Sequence, residues 1–292
     1  MADAEVSNTS VREDVRVRVP HPAPSVRPRY QTAAVARHPD AVVRVALERL
    51  AAGAGASDVA TDLHVPLRTV RTWWRRYGEG RGRRGGTGHA PCPRCHDAPL
   101  AAGAYAELLG WYLGDGHIGW SGRRTPQLAV FNDARYTDLS AGIAALIREV
   151  APGTSPSTRH RTGCTVVASS WTHWPCLFPQ HGPGRKHDRP IVLEPWQREV
   201  VERHPGRFLR GLFHSDGCRV RNWATRTVDG VTTRYEGYPR YFFSNRSADV
   251  IGLCTWALDV LGVRWTRPRP DHVSVARREA VAVLDQHVGP KS

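Results

Sequence analysis

The sequence predicts an α+β protein in which an αββαββα unit occurs twice with pseudo-two-fold symmetry, preceded by a small all-α domain. Two observations predict the duplication. Apolar stretches at 105–118 and 208–220 each contain two small residues four positions apart and then Asp-Gly, and strand and helix patterns follow both stretches in the same order. A third observation, a basic helical segment at 40–77, predicts the all-α domain.

Residues 40–77 follow a tail, 1–39, that mixes Pro, Ser, Val and both charge signs without a period and is expected to be disordered. Gly and Pro divide 40–77 into three helical patterns, the last of which is LRTVRTWWRRY. This layout resembles the helix-turn-helix modules of transposases and small regulators, in which the last helix enters the major groove. Val70 and Trp74 are expected to face the core of the domain. The DNA contacts expected from the last helix are Arg68, Thr69, Arg71, Thr72 and Arg75.

The stretch 78–104 is rich in Gly and Arg, and it predicts a flexible linker that is attracted to phosphate. It contains Cys92 and Cys95 in C-x2-C spacing, which is half of a structural zinc site. His89 and His96 could supply nitrogen ligands, but the sequence contains no second C-x2-C pair. A zinc site at the two cysteines and a pair of reduced thiols are both compatible with this pattern.

The two apolar stretches predict helices that pack face to face. Residues four positions apart share a helix face, and small residues there let two helices approach until their backbones nearly touch. The small residues expected at this contact are Gly110, Gly114, Gly211 and Ser215. The Gly after each Asp is a good helix stop, so Asp115 and Asp216 are expected side by side at helix C-termini. A divalent cation would offset both their mutual repulsion and the unfavourable helix dipole.

The predicted repeats span 105–178 and 204–288, with a loop and helix at 179–203 between them. The first repeat continues with strand patterns at 117–120 and 127–133, a helix at 137–150, a strand at 164–170 and a shortened helix at 171–178. The second continues with strands at 218–223 and 241–245, joined by a longer connection, then a helix at 247–262, a strand at 272–276 and a helix at 277–289.

The charge and composition of the chain indicate which class of partner it binds. The chain has 292 residues, a formal net charge of +14 and a pI of about 10.3, which predicts a polyanionic partner and favours nucleic acid over membrane. No run of about 18 apolar residues predicts a membrane span, and no signal-peptide pattern opens the chain. Six cysteines without a framework spacing fit a reducing compartment, so a cytoplasmic protein is expected.

The segments LLGWYLGDG at 108–116 and LRGLFHSDG at 209–217 match one known motif in register. On these residues the chain resembles the LAGLIDADG (DOD-type) homing endonucleases, as a monomer carrying two motifs. The resemblance covers the duplicated part of the chain. It implies two sheets that form a saddle over the major groove of double-stranded DNA.

The resemblance also implies the chemistry of the site. Asp115 and Asp216, with the backbone carbonyls of Gly114 and Ser215, are expected to hold Mg²⁺ near the scissile phosphates, one Asp for each strand. Lys186 is the expected basic residue that stabilises the phosphate or polarises water. Alternatively, Lys186 belongs to a loop that contacts DNA phosphates away from the bond that is cleaved.

Arginines in the duplicated part supply the expected contacts with DNA, mostly with its phosphates. Arg219 and Arg221 alternate along a strand, so both are expected on one face of it. The full set expected from the repeats and the loop between them is Arg123, Arg124, Arg185, Arg219, Arg221, Arg240 and Arg246.

Three functions are compatible with this sequence. The first is a magnesium-dependent, site-specific double-strand endonuclease of the homing type. The second is a transcription regulator that uses the saddle and the helix-turn-helix only to bind DNA, and the third is an intron maturase that binds RNA. The presence of both Asp115 and Asp216 favours the enzyme, because a protein that only binds DNA has no reason to hold two carboxylates against it.

Overall fold

The computed structural model describes residues 38–78, 91–120, 125–289 and Lys291. Nearly all of the tail expected to be disordered lies outside these residues, as do the first part of the expected linker and two expected DNA contacts, Arg123 and Arg124. Within the described residues, every helix is too short or too polar to cross a lipid bilayer.

Three short helices near the start of the described chain pack around one apolar cluster. They are α1 (Asp40–Ala51), α2 (Ala56–Asp62) and α3 (Leu67–Tyr77). Val70 and Trp73 of α3 are buried, whereas Trp74, which was expected in the core, is only partly buried against it. Positions three and four apart both share a helix face, so the sequence pattern alone does not choose between the two tryptophans.

Each half of the remaining chain follows the predicted αββαββα order. The first half consists of α4 (Ala102–Leu113), β1 (Gly116–Trp120), β2 (Pro126–Asp133), α5 (Thr137–Val150), β3 (Ser157–Arg161), β4 (Cys164–Ser170) and α6 (Trp174–Leu177). A 3-10 turn at Lys186–Asp188 and helix α7 (Pro195–Arg203) follow. The second half consists of α8 (Pro205–Asp216), β5 (Gly217–Val228), β6 (Val231–Ser244), α9 (Ala248–Val260), β7 (Thr266–Arg269), β8 (His272–Val275) and α10 (Arg278–His287).

The two sheets have the same topology. Their strand orders are β1-β2-β4-β3 and β5-β6-β8-β7, and all neighbours are antiparallel. The register pairs Gly116 with Val130 in the first hairpin and Gly217 with Phe243 in the second. Because each glycine directly follows a motif aspartate, the two hairpins begin at equivalent points, and the predicted duplication is present in the fold.

Two strands that the αββαββα order requires were not located in the sequence, and one connection was wrongly assigned. The edge strands β3 and β7 are mostly exposed and rich in polar residues, so they lack the alternation of apolar and polar residues that marks a half-buried strand. The longer connection predicted in the second hairpin is itself strand, because β5 and β6 stay paired out to Val228 and Val231.

The motif helices α4 and α8 lie with their backbones in contact. A Cβ atom added to Gly110 would lie 2.8 Å from the backbone nitrogen of Leu212, and one added to Gly211 would lie 2.8 Å from that of Trp111. Apolar residues around this contact belong to one core that includes both repeats. The paired helices therefore form the centre of the duplicated part, and their C-terminal ends emerge together.

The three-helix segment also contacts the first repeat. The ring of Tyr77, the last residue of α3, lies 5.5 Å from the ring of Trp120 and 6.0 Å from that of His181. Nη1 of Arg44 donates a hydrogen bond to the carbonyl of Asp188 at 3.1 Å. The expectation of a domain attached only through a flexible linker is therefore incomplete, because aromatic contacts also join it to the repeat.

Candidate functional site

The carboxylates of Asp115 and Asp216 meet at the C-terminal ends of the paired helices. Asp216 is the last residue of α8, and Asp115 lies two residues beyond the end of α4. A Cβ atom added to Gly114 would lie 3.0 Å from Oδ2 of Asp216, so the glycine leaves room for this carboxylate. Burial, followed by the charge of Asp216, raises the pKa of Asp115 to about 7. The fold thus forces two acids together, at a cost that a cation can offset.

Lys186 lies at the end of α4. Its Nζ donates hydrogen bonds to the carbonyls of Tyr112, Gly114 and Gly116 at 2.5, 2.6 and 2.9 Å, and it lies 5.3 Å from the centre of the Tyr112 ring. Burial lowers the pKa of Lys186 to about 8, and the two aspartates oppose that shift. The ammonium therefore binds carbonyl groups at the C-terminal end of α4 and also lies near the two aspartates.

The loop that carries Lys186 is fixed at several points. Nε2 of Gln180 donates a hydrogen bond to the carbonyl of Val192 at 2.8 Å, and Arg189 donates one to the carbonyl of Gln180. The backbone nitrogen of Ile191 donates to Oδ2 of Asp249 at 2.8 Å. These bonds fix the loop between the first repeat and α9, so the position of the lysine depends on both repeats.

Lys291, which sequence reasoning missed, occupies the corresponding place in the second repeat. Its Nζ donates a hydrogen bond to the carbonyl of Ser215 at 3.1 Å, and Ser215 precedes Asp216 as Gly114 precedes Asp115. The signal was present in the sequence. Lys186 and Lys291 are the only lysines of the chain, and they follow the two aspartates by 71 (186 − 115) and 75 (291 − 216) residues.

The two halves of the site also differ in the hydrogen bonds of an equivalent asparagine. The register places Asn132 and Asn245 at equivalent positions, two residues after Val130 and Phe243. Nδ2 of Asn245 donates to Oδ2 of Asp216 at 2.7 Å. Asn132 instead exchanges hydrogen bonds with Ser140 at 3.2 Å. Of the two carboxylates, that of Asp216 is therefore the one that accepts a hydrogen bond from this asparagine.

The donor set suits a hard divalent cation. Asp115 and Asp216 supply carboxylate oxygens, and such oxygens together with carbonyls are what Mg²⁺ prefers. The carbonyls of Gly114 and Ser215, which were expected to bind the same cation, each accept a lysine ammonium instead. The two carboxylates thus remain the residues best suited to hold the metal.

The arginines expected to contact DNA from α3 point outwards. Arg68, Arg71 and Arg75 are exposed, while Thr69 and Thr72 are partly buried. The hydroxyl of Thr72 donates to the carbonyl of Arg68 at 2.8 Å. The α3 helix therefore presents a surface formed by the three arginines.

Each sheet has one face against the helices and one facing away from them, which we call the open face. In the second sheet Tyr241 and Phe243 are buried on the helix side, and the register puts Arg219 opposite Tyr241 on that same side. Arg219 also forms a two-point salt bridge with Asp285 at 2.7 and 2.8 Å. Arg219, which was expected to contact DNA, is therefore engaged on the helix side of the sheet.

Other arginines lie at positions where they could contact DNA. Arg240 pairs with Val220 on the open face of the second sheet, and Arg185, Arg221 and Arg246 are exposed. In the first sheet, β3 carries two arginines that sequence reasoning missed together with the strand. They are Arg159 and Arg161, which the register places on the open face opposite Val166 and Cys164.

In the folded chain, two further potential metal ligands lie beside the C-x2-C pair. His173 and Cys176 lie beside Cys92 and Cys95, and one ligand atom from each of the four lies within 4.8 Å of the others. The H-x2-C spacing of His173 and Cys176 is the sequence signal that could have identified them. Of the two histidines first considered, His89 lies outside the described residues and His96 binds the backbone nitrogen of Cys92.

Comparison with known proteins found similarity only among solved structures: no family model and no curated protein matches the chain. A structure of mesophilic variants of the homing endonuclease I-DmoI aligns with a TM-score of 0.41 and 14% identity, over 64% of this chain and 96% of that one. I-DmoI in complex with DNA and Ca gives 0.40 and 13%, over 65% and 91%. The N-terminal LAGLIDADG domain of DUF199/WhiA gives 0.41 and 12%, over 67% and 86%. At identities and TM-scores this low, no activity transfers to this chain.

Proposed function

We propose that this chain is a sequence-specific DNA-binding protein of the LAGLIDADG type that hydrolyses one phosphodiester bond in each strand of double-stranded DNA with the help of Mg²⁺. The observation that carries the proposal is the pairing of an aspartate and a lysine at each of two equivalent helix ends. The two pairs meet at the centre of the duplicated part, between its two sheets, where a duplex laid across both sheets would present its two strands.

The aspartates provide the cation site. Asp115 and Asp216 are partly buried, and the pKa of each is raised by burial, so a divalent cation relieves the cost of ionising both. When bound, Mg²⁺ supplies a Lewis acid that polarises phosphoryl oxygens and makes water a better nucleophile. The hydrogen bond from Asn245 orients the carboxylate of Asp216, while Asp115 has no equivalent bond from Asn132.

The lysines provide positive charge and protons at fixed positions. Nζ of Lys186 is held by three carbonyls, so it is oriented before DNA arrives and can stabilise negative charge as it builds on phosphate oxygens. With a pKa of about 8, this amine can also exchange a proton near neutral pH. Lys291, whose Nζ donates a hydrogen bond to the carbonyl of Ser215, supplies positive charge for the second strand.

Binding is distributed over two surfaces. The exposed arginines of α3 suit a major groove, and the open faces of the sheets present Arg159, Arg161 and Arg240 towards a second stretch of duplex. With a formal net charge of +14, most of the affinity comes from phosphate contacts and depends on salt. Linking two weak sites raises the overall affinity through effective concentration.

The test is cleavage of a randomised duplex library and of supercoiled plasmids carrying selected sites, with Mg²⁺. Wild-type protein is expected to make site-specific double-strand cuts, and Asp115→Asn and Asp216→Asn are each expected to yield nicks. Asp229→Asn, an exposed aspartate at the tip of the β5–β6 hairpin, is the matched control and should cut as wild type does. Tight binding to one sequence without cleavage in Mg²⁺ or Mn²⁺ would refute the nuclease.

A specific observation favours a second candidate, a DNA-binding regulator that does not cut. Both carbonyls expected at the cation already accept a lysine ammonium, so two positive charges balance two aspartates without any metal. In that case the two lysines are structural counter-ions. Unchanged DNA affinity with and without Mg²⁺, together with intact DNA, would identify this function.

A further inference from the structure

We propose that Cys92, Cys95, His173 and Cys176 bind one structural Zn²⁺ ion, at a site separate from the paired aspartates. Two short motifs far apart in sequence form it. Cys92 and Cys95 precede α4, and His173 and Cys176 lie at the start and within the short helix α6. Three cysteines and one histidine form one of the standard ligand sets of structural zinc sites.

The four side chains surround a space of the right size. Sγ of Cys95 and Sγ of Cys176 are 3.3 Å apart, and Sγ of Cys176 is 3.8 Å from Nδ1 of His173. One ligand atom from each of the four residues lies within 4.8 Å of the others. Zn–S bonds of about 2.3 Å in a tetrahedron hold two sulfur ligands about 3.8 Å apart, so small adjustments suffice to close the site around one ion.

The backbone around Cys92 is arranged as in a metal-binding turn. The backbone nitrogen of Arg94 donates to Sγ of Cys92 at 3.4 Å, an interaction that stabilises a thiolate ligand. The backbone nitrogen of Cys92 donates to Nδ1 of His96 at 2.9 Å. His96 therefore closes the turn while His173, buried against Trp171 at a ring distance of 5.2 Å, supplies the nitrogen ligand.

The ion would act as a cross-link. It joins the turn at 91–96 to α6, which lies at the other end of the first repeat. Arg94 of the same turn stacks over the ring of Trp196 in α7 at 4.6 Å, so the turn lies against two elements that flank the loop carrying Lys186. All four ligands come from the protein, which is the arrangement of structural rather than catalytic zinc.

The first experiment measures metal in the full chain purified without chelator. About one Zn²⁺ per chain is expected, and a thiol-reactive mercurial should release that zinc as it modifies the three cysteines. Replacement by Co²⁺ should give the thiolate charge-transfer and visible bands of a tetrahedral site. Protein that contains no zinc and takes up neither Zn²⁺ nor Co²⁺ would overturn the proposal.

Variants identify the ligands. Cys176→Ser and His173→Asn should lose zinc and lower Tm, whereas His173→Cys should keep zinc because four cysteines also form a structural site. Cys164→Ser, a buried cysteine in the first sheet outside the cluster, should keep full zinc content. Zinc that persists in both Cys176→Ser and His173→Asn would reject this ligand set.

A disulfide is the competing outcome. The 3.3 Å between Cys95 and Cys176 exceeds the S–S bond length of about 2.0 Å, but oxidation could join the two sulfurs. Titration of the denatured, unreduced protein distinguishes the cases. Six free thiols, as the sequence provides, accompany zinc; four (6 − 2) would show a disulfide in its place and refute the proposal.

Discussion

Asp115 is the residue at which the structure predicts a clear pH dependence of stability. Its pKa of about 7 lies above the value near 4 of an unfolded carboxyl group. Between those two pH values the folded protein holds a proton that the unfolded chain has lost. The free energy of unfolding of the metal-free protein should therefore fall as the pH rises through this window.

Asp115→Asn should flatten that dependence and raise Tm above wild type at pH values over about 7, while the two proteins converge at low pH. Thermal unfolding in the presence of chelator measures both curves. Asp229→Asn should keep the wild-type slope, and a wild-type stability that rises across the window would contradict the assignment. Adding Mg²⁺ should stabilise wild type mainly at the higher pH, where the carboxylate is ionised.

The two lysines give the second residue-scale prediction, which rests on the proposed nuclease. Lys186→Met and Lys291→Met should each lower the cleavage rate at saturating protein by about 10²–10³-fold, the effect of removing one charge-stabilising donor. Single-turnover assays on a site-bearing plasmid should show nicks accumulating. Arg185→Met, which removes the exposed cation beside Lys186, should weaken binding but leave the saturated rate near wild type. Equal loss in all three variants would argue against a chemical role.

At the scale of the element, we expect Gly→Ala substitutions to destabilise the protein in the motif helices and to stabilise it in other helices. Gly110→Ala and Gly211→Ala would push a methyl group into the backbone of the partner motif helix, and we expect a loss of about 1–3 kcal/mol or more in the free energy of unfolding. Denaturant unfolding monitored by circular dichroism measures it.

Gly142 in α5 and Gly252 in α9 are the matched controls, since a Cβ atom at either position would meet nothing within 4 Å. Gly142→Ala and Gly252→Ala should stabilise the protein by about 0.4–1 kcal/mol, because alanine restricts the unfolded chain and favours helix. Equal changes in all four variants would show that helix propensity, rather than the close contact of α4 and α8, governs these positions.

At the scale of the whole molecule, the three-helix segment and the repeats are expected to bind DNA together. Arg68→Gln, Arg71→Gln and Arg75→Gln should each weaken binding and reduce the slope of log affinity against log salt by about one for each phosphate that the variant no longer neutralises. Fluorescence anisotropy over a salt series measures both. Arg148→Gln removes an exposed arginine of α5, on the side of the sheet away from its open face, and should change neither quantity. A slope that stays constant in all the α3 variants would exclude this helix from the interface.

Local patterns in the sequence were enough to predict the duplication, the two motif helices, and the helices and strands with a clear apolar period. Residues 137–150 and 164–170 fold as α5 and β4 with the predicted limits. These features follow from local spacing: side chains four apart share a helix face, and a Gly just after the apolar period favours the end of a helix. The edge strands β3 and β7 were not located in the sequence because their residues are mostly exposed and show no apolar pattern.

Which distant residues meet depends on how the helices and sheets pack in three dimensions. Lys291 reaches the carbonyl of Ser215, His173 and Cys176 join the C-x2-C pair, and Arg219 turns to Asp285. Each of these contacts joins residues 66 or more positions apart. No periodic pattern in the sequence encodes such a contact. Each contact depends on how α4 and α8 pack together and on where the two sheets place the segments that follow them.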